Sequence, residues 1–491
     1  MDNKERSFSC LAVDMGAGSV RIMLGLIRKQ SIRYEEIHRT PNAIEEIDGH
    51  ERWDITGLFK EIVIGINKAI EVSENKPQSI GVDSWGVDFV LLNEVGELLD
   101  IPIAYRDSRT EGMMEAWEKE LFPFETFKRT GINFYIFNTL FQLFSMHDSD
   151  LLKQTKRILF IPSYINFLLS GVAENEQTIA STSQVLGIDG QNWDSDILAK
   201  LGISASVLGE VIEPGKKLGQ VVFPGIDQSS IESVAVCGHD TACAIAAIPA
   251  KDANFAFIST GTWCILGLET ANPLLSEEAY KMGFTNERGY NDTFRSLKNI
   301  VGLWLVQGLK KEYPEATGFS ELEKMVSTIG QTKQFIDPDD ALFFNPSNMK
   351  EAFDEFFEKT GQDKPGDTAA YIKIAYDSLC FSFRYLLEFL ESHTEKRIDR
   401  IHVIGGGCQS DYFNQHIATI CNKEVYAGPV EGSVIGNILV QAISMGEVKS
   451  LEEGRMLVRN SFPVKHYSPT FDTEKYNKVY AQYINYKLKQ I

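Results

Sequence analysis

Several short segments carry residue types suited to chemistry. The first is Asp14-Met15-Gly16-Ala17-Gly18-Ser19-Val20-Arg21. Small residues let a backbone turn approach phosphate closely, and Ser19 adds a hydroxyl donor. Asp14, at the end of an apolar run, would be unwelcome beside phosphates unless it holds a cation through water, because Mg²⁺ keeps much of its hydration. Taken alone, the segment also suits an ordinary Gly-rich β-turn. No G-K-[ST] follows, so it is not a P-loop. A second hairpin-like turn, Ser259-Thr260-Gly261-Thr262, offers hydroxyls and a glycine that would suit the far side of the same phosphate chain, or a plain hairpin.

Gly238-His239-Asp240-Thr241 lies between an apolar strand and a small-residue helix. There Asp240 is either a helix N-cap or a partly desolvated carboxylate that helix-terminal dipoles keep charged. In the second case it is a fitting general base for a substrate hydroxyl. His239 reads as a structural hydrogen-bonder or as a second base. Gly405-Gly406-Gly407-Cys408-Gln409 presents flat, side-chain-free backbone that suits an adenine or ribose face, or a tight strand–helix turn. It lacks the G-x-G-x-x-G spacing of a dinucleotide fingerprint. Finally, Asp83-Ser84-Trp85-Gly86-Val87-Asp88 and Tyr105-Arg106-Asp107-Ser108-Arg109 set an aromatic ring among charged hydrogen-bonders. Such a set could recognise a sugar, Trp85 covering C–H groups while Asp and Arg read hydroxyls. A core Trp beside surface salt bridges is the alternative.

The elements that must position these residues follow from patterning. Apolar runs at residues 8–13 and 21–27 read as two strands around the first turn. Leu58, Ile62, Ile66 and Ile70 recur every fourth residue, the stripe of an amphipathic helix. Strands and helices alternate up to about residue 248, where Pro249-Ala250-Lys251-Asp252 breaks the pattern. From Phe255 onward the layout restarts as strand, small-residue turn, strand. This spacing predicts two domains of related topology, 1–249 and 250–491, with a surface helix from about residue 472. A long helix over 368–391 precedes a strand at 401–404 and the Gly triplet, and another helix covers 434–445.

The chain has 491 residues and a formal net charge of −20, with 43% hydrophobic and 24% charged residues. That composition is globular. The acidic excess argues against nucleic acid, whose phosphates call for Lys and Arg. It leaves an anionic small ligand open, since a nest of backbone N–H groups can overcome an acidic average. No apolar stretch is long enough to span a membrane, and the N-terminus lacks the layout of a secretion signal. Seven scattered cysteines without a C-x-x-C pair read as reduced thiols in a cytoplasmic protein.

In their order along the chain these segments resemble the FGGY carbohydrate kinases, within the superfamily of actin, hexokinase and the heat-shock chaperone ATPases. The resemblance rests on Gly81-Val82-Asp83-Ser84-Trp85-Gly86-Val87-Asp88-Phe89 and on Ala104-Tyr105-Arg106-Asp107-Ser108-Arg109-Thr110. It continues through Leu297-Lys298-Asn299-Ile300-Val301-Gly302-Leu303-Trp304-Leu305-Val306-Gln307, the Gly triplet and Ala427-Gly428-Pro429-Val430-Glu431. It implies an α/β fold of two ribonuclease-H-like domains, of the actin and hexokinase ATPase type, flanking a deep interdomain cleft. The N-terminal domain would bind sugar and the C-terminal one nucleotide. The implied reaction is ATP-dependent phosphorylation, with Mg²⁺, of L-rhamnulose at its 1-hydroxyl.

Asp240 would be the base, while Ala17, Gly18, Ser19, Val20, Arg21 and Thr262 would hold phosphates. Gln307 and Gly406 would join the nucleotide site; Gly86, His239, Asp240, Thr241 and Asn299 would face the sugar. Two positions depart from the family pattern. β-Branched Val20 stands where a small residue is usual and resists positive φ. Gly238 stands where the L-rhamnulose branch of the family carries serine. A sibling kinase for L-fuculose or D-xylulose is the alternative, sharing every phosphate motif. An actin- or chaperone-type ATPase is a more distant one, opposed by the Trp–Asp–Arg set. The expected partners are the sugar and ATP, with no nucleic acid and no membrane; monomer and homodimer both stay open.

Overall fold

The computed structural model describes residues 7–226, 230–311, 318–394, 396–470 and 472–490. By their contacts these form two compact units. The first comprises Met1–Lys251, Thr270–Ser296 and Glu431–Ser461; the second comprises Asp252–Glu269, Leu297–Val430 and Phe462–Ile491. The sequence pattern predicts Thr270–Ser296 and Glu431–Ser461 in the C-terminal half, but they pack in the first unit. Their partners, named below, lie in the first unit, which is why they pack there.

The first unit is built on β1 (Ser7–Met15), β2 (Ser19–Arg28), β3 (Ser31–Pro41), β4 (Ser79–Ser84), β5 (Lys216–Gln220) and β6 (Glu232–Ala235), in the order β5-β6-β4-β1-β2-β3. β1 pairs antiparallel with β2 and parallel with β4, and β6 runs parallel to β4. Eight of the nine residues of β1 are buried, as a central strand covered on both faces requires. Helix α1 (Ile55–Val72) covers the sheet with the expected stripe, and Leu58, Ile62, Ile66 and Ile70 are all buried. Asp54 caps its start, accepting the Gly57 N–H at 2.8 Å. A short helix, α2 (Asp240–Ala246), follows β6. The Gly432–Ser444 helix packs on α2 as well as on β1 and β4.

The second unit repeats this plan. Its strands are β7 (Phe255–Thr260), β8 (Trp263–Thr270), β9 (Phe294–Val301, which crosses from one unit into the next), β10 (Arg400–Gly405), β11 (Glu424–Ala427) and β12 (Lys465–Tyr467). They are ordered β9-β8-β7-β10-β11-β12, and a seventh strand, Thr285–Arg288, pairs on the outer side of β9. β7 pairs antiparallel with β8 and parallel with β10, as β1 does with β2 and β4. In each unit a parallel neighbour and an antiparallel edge strand follow on that side. The fold is thus two α/β domains of one topology. Among its helices are α3 (Trp304–Lys310), α4 (Thr368–Thr394) and α5 (Thr473–Lys487), the last matching the expected terminal helix. Among the described residues no helix is long and apolar enough to cross a membrane. All seven cysteines are buried, and no two form a disulfide.

Candidate active site

The hairpin register sets Asp14 opposite Arg21, and the parallel register sets Asp14 beside Asp83. Both acids therefore sit at the same end of the sheet. Arg21 bonds the Asp14 carboxylate through Nε (2.8 Å) and Nη2, and reaches Glu431 through Nη1 at 2.8 Å. Burial works against its charge, yet the two carboxylates hold the guanidinium pKa above its usual value. Asp83 is fully buried; its Oδ2 accepts from Asn437 Nδ2 at 2.6 Å, and its Oδ1 has no hydrogen-bond partner. Burial, then the nearby Asp14 charge, push the Asp83 carboxyl well above the usual carboxylate range.

At the tip of the hairpin Ala17 and Gly18 are exposed and Ser19 is half-buried. Asn42 pins the turn from behind: its Nδ2 donates to the Gly16 carbonyl at 2.9 Å and its N–H to the Gly18 carbonyl at 3.2 Å. Ser19 Oγ accepts from Arg39 at 3.3 Å. Neither Gly16, Gly18 nor Val20 adopts a positive φ, so the family departure at Val20 costs no backbone strain. Val20 is 2% exposed with its side chain in the core, which leaves only its main chain to meet a ligand.

Asp240 begins α2. The preceding Gly238 N–H donates to buried Glu176 Oε2 at 2.7 Å, and a Cβ on Gly238 would meet that oxygen at 2.9 Å. This close approach is the physical reason for glycine where serine was expected. Asp240 is half-buried. Burial raises its pKa and the Asp14 charge adds to the rise; neighbouring His239 opposes it most, then the Thr241 hydroxyl (3.0 Å) and N–H (2.5 Å), which donate to Oδ1. His239 Nε2 is 3.5 Å from the same Oδ1. On its other side His239 Nδ1 meets Glu287 (3.1 Å) and Arg295 (3.1 Å). A Cβ on Gly86 would lie 3.5 Å from His239 Nε2 and 3.4 Å from Thr182, so Gly86, His239, Asp240 and Thr241 share one place.

Next to Gly86, Val87 is held at φ +67°, a left-handed conformation that a β-branched residue resists. Hydrogen bonds over-determine it: its N–H donates to Thr182 Oγ1 (3.1 Å), and its carbonyl accepts from Thr139 Oγ1 (2.6 Å).

Of the two readings open for Trp85, a sugar-stacking ring or a core residue, the structure presents the core one. Its ring is 6% exposed, tilted against Trp53 with centroids 4.6 Å apart. Both indole N–H groups donate to Asp88 Oδ2, at 3.0 and 2.7 Å. Burial pushes the Asp88 carboxyl up to about 6 against these donors. Two indole donors converging on one buried carboxylate make a core network, so Trp85 is held in the core. Arg109 donates to Gln142 at 2.6 Å; its buried Nε and Nη1 make no hydrogen bond, Nη1 lying 3.8 Å from Asp107 Oδ1 as an ion pair.

In the second unit the β7–β8 turn organises the predicted nucleotide residues. Thr262 is exposed at the tip. Its carbonyl accepts from Gly302 (3.1 Å) and Trp304 (3.2 Å), while Gly261 accepts from Leu303 at 3.0 Å. Gln307 lies one turn on, its N–H bonded to the Leu303 carbonyl. On the other side Thr260 donates to the Ile404 carbonyl at 2.8 Å. Gly405 has φ +79°, and a Cβ there would meet the Thr260 carbonyl at 2.6 Å, so glycine is required. Gly406 is exposed with open space before it. Asn299 is half-buried on β9, three residues before Gly302.

A hairpin with an acid at its base, a carboxylate at a strand–helix junction, and a second hairpin beside exposed glycine backbone are the parts of a phosphoryl-transfer enzyme. Comparison with known proteins gives the family. The FGGY carbohydrate kinase N-terminal domain matches residues 9–247 and the C-terminal domain matches residues 256–445. The chain belongs to the FGGY family of carbohydrate kinases. It is an ATP-dependent sugar kinase. This FGGY kinase is 38% identical over 461 residues to the rhamnulokinase of Bacillus subtilis (strain 168), covering 93% of this chain and 95% of that one. With the rhamnulokinase of Ligilactobacillus salivarius (strain UCC118) it shares 37% over 483 residues, 98% and 99% of the two chains. Gluconate kinase from Lactobacillus acidophilus has the same fold, with a TM-score of 0.82 at 15% identity over 99% of this chain and 98% of that one. A ligand-bound xylulose kinase from the same organism gives 0.80 at 15%, over 98% of each.

Several residues around this candidate site carry no sequence signal. Glu287, Arg295, Thr182 and Asn437 stand in no motif, and only the fold brings them to His239, Gly86 and Asp83. The alternation of Glu287 with its strand neighbours reads as an ordinary strand pattern.

Proposed function

We propose that this kinase transfers the γ-phosphoryl group of ATP to the 1-hydroxyl of L-rhamnulose. The observation that carries this reading is that seven curated relatives named rhamnulokinase are 36–38% identical to the chain over 93–98% of its length. Asp240 is the general base. It accepts the hydroxyl proton as the sugar oxygen forms its bond to the γ-phosphorus and the bond to the bridging oxygen of ADP breaks. A carboxylate whose pKa is raised by burial is a better proton acceptor than one in water, while Thr241 keeps it ionised and aimed. Gly86, His239, Thr241 and Asn299 orient the sugar. Ala17 to Arg21, with Thr262, cradle phosphate oxygens; Gln307 and Gly406 contact the nucleoside.

Phosphoryl transfer asks little covalent chemistry of a protein, so alignment and charge neutralisation supply most of the rate. Mg²⁺ supplies neutralisation of phosphate charge when bound with the nucleotide. The acids fit a hydrated cation: Arg21 takes one oxygen of Asp14, and Asp14, Asp83 and Asp240 repel one another. Asp14 would hold the hydrated cation through water.

The test is ADP formation with L-rhamnulose, L-fuculose, D-xylulose, L-ribulose and glycerol. L-Rhamnulose should give the highest kcat/KM, with the product phosphate on the 1-oxygen. A clear preference for another acceptor would overturn the reading.

A further inference from the structure

Arg295 sits behind His239 with no exposure to solvent. Its Nε donates to the Arg288 carbonyl at 2.9 Å, and its Nη2 lies 2.8 Å from Glu287 Oε2. The same Nη2 is 3.1 Å from His239 Nδ1, in hydrogen-bonding geometry. Glu287 Oε2 is equally near Nδ1 at 3.1 Å, so this ring nitrogen faces a donor and an acceptor at once. It can serve only one. Arginine has only donors to give. The Glu287 oxygen, in contrast, is not aligned for a hydrogen bond from the ring.

We propose that Arg295 is a positioning residue that holds His239 as the tautomer with its hydrogen on Nε2. A bond made by one imidazole nitrogen decides the protonation of the other. With Nδ1 accepting from Arg295, the ring N–H lies on Nε2, which faces Asp240 Oδ1 at 3.5 Å and the space beside Gly86. His239 then presents a donor to the sugar oxygens and to the base, and takes no proton itself. Glu287 acts one step further back. Burial pushes its carboxyl up, but the Arg295 charge overrides this and holds it below its usual value, so it stays an anion and anchors the guanidinium. The other groups facing His239 are neutral or distant from the ring: Thr178 Oγ1 meets its backbone N–H at 3.3 Å, and Glu176 bonds the neighbouring Gly238.

The inference rests on Asp240 as base, but its test does not. The full-length kinase labelled with ¹⁵N-histidine is observed at neutral pH, and the His239 signals are assigned by their loss in His239→Asn. The expected spectrum has Nδ1 at the shift of an unprotonated ring nitrogen and Nε2 at that of a protonated one. A proton on Nδ1, or on both nitrogens, overturns the proposal. Arg295→Gln, whose amide can either donate or accept, should mix the tautomers and lower kcat by roughly tenfold while leaving the KM for ATP unchanged. An unaltered tautomer in a folded Arg295→Gln also overturns it. Should that variant not fold, the wild-type spectrum still decides. If Asp240→Asn keeps its activity while the Nε2–H tautomer stands, the base assignment has failed and this inference has not.

Discussion

Asn437 donates its side-chain N–H to Asp83 Oδ2 at 2.6 Å across 354 positions of sequence. Four residues on, Gln441 donates to the Leu11 carbonyl at 2.9 Å and accepts from Ser79 Oγ at 2.7 Å. One face of the Gly432–Ser444 helix is therefore bonded to the strands that carry Asp14 and Asp83. This is why a segment near the C-terminus packs with the first unit. It also gives a buried carboxylate a fixed partner, without which its desolvation would be costly.

That helix reaches the sheet because Gly436 allows it. A Cβ there would lie 1.8 Å from the Cys243 carbonyl on α2. Gly436→Ala must push α2 and its partner helix apart, since backbone cannot rotate out of the way. The expected loss is at least the roughly 1–3 kcal/mol typical of overpacking. A denaturant midpoint equal to the wild type's would contradict it.

Asp240→Asn removes the proton acceptor while keeping size and a hydrogen-bonding oxygen for Thr241. Turnover should fall by about 10²-fold or more, the range of a positioned base, with the thermal midpoint little changed. Near-wild-type turnover in this variant would remove Asp240 from the chemistry.

Thr182→Val keeps the shape but takes away the oxygen that accepts the Val87 N–H at 3.1 Å. The left-handed Val87 then loses one of its restraints, and a buried N–H goes unpaired at a cost of about 1–3 kcal/mol. Because Gly86 adjoins this peptide, the KM for sugar should rise while the KM for ATP holds. Equal changes in both would show that the effect is not local.

Glu287 gives the kinase a specific acid sensitivity. Its pKa is lowered from 4.5 to about 2 in the folded protein. The folded state therefore binds the fewer protons, and the stabilisation is complete above pH 4.5 and lost as pH falls towards 2. The shift corresponds to something on the order of 3 kcal/mol. Glu287→Gln cannot titrate, so the stability gap between it and the wild type should be constant above pH 4.5 and shrink below it. Urea midpoints across that window measure it; a pH-independent gap would disprove the account.

Much of this was legible in the residues themselves. Apolar runs on either side of short small-residue turns mark both hairpins, and the spacing of Leu58, Ile62, Ile66 and Ile70 marks α1, because local periodicity is enough to choose a strand or a helix. The Gly-His-Asp-Thr junction stands out for the same reason: a charge amid apolar neighbours needs an explanation. Trp85 stays ambiguous in the sequence because a Trp beside charged residues looks alike whether its ring meets a sugar or a buried carboxylate. Only its neighbour Trp53 and their shared acceptor, Asp88, distinguish the two.

What the amino-acid sequence determined alone is the inventory: two repeated α/β halves, the turns between their first strands, and the acid at the start of α2. Tertiary structure decided which groups face one another. Asn437 reaches Asp83, Glu431 reaches Arg21, and Arg295 reaches His239 through contacts distant in sequence, and no local pattern encodes them. The protonation of a carboxylate or an imidazole depends on burial and on the charges within a few ångströms. The fold alone supplies both.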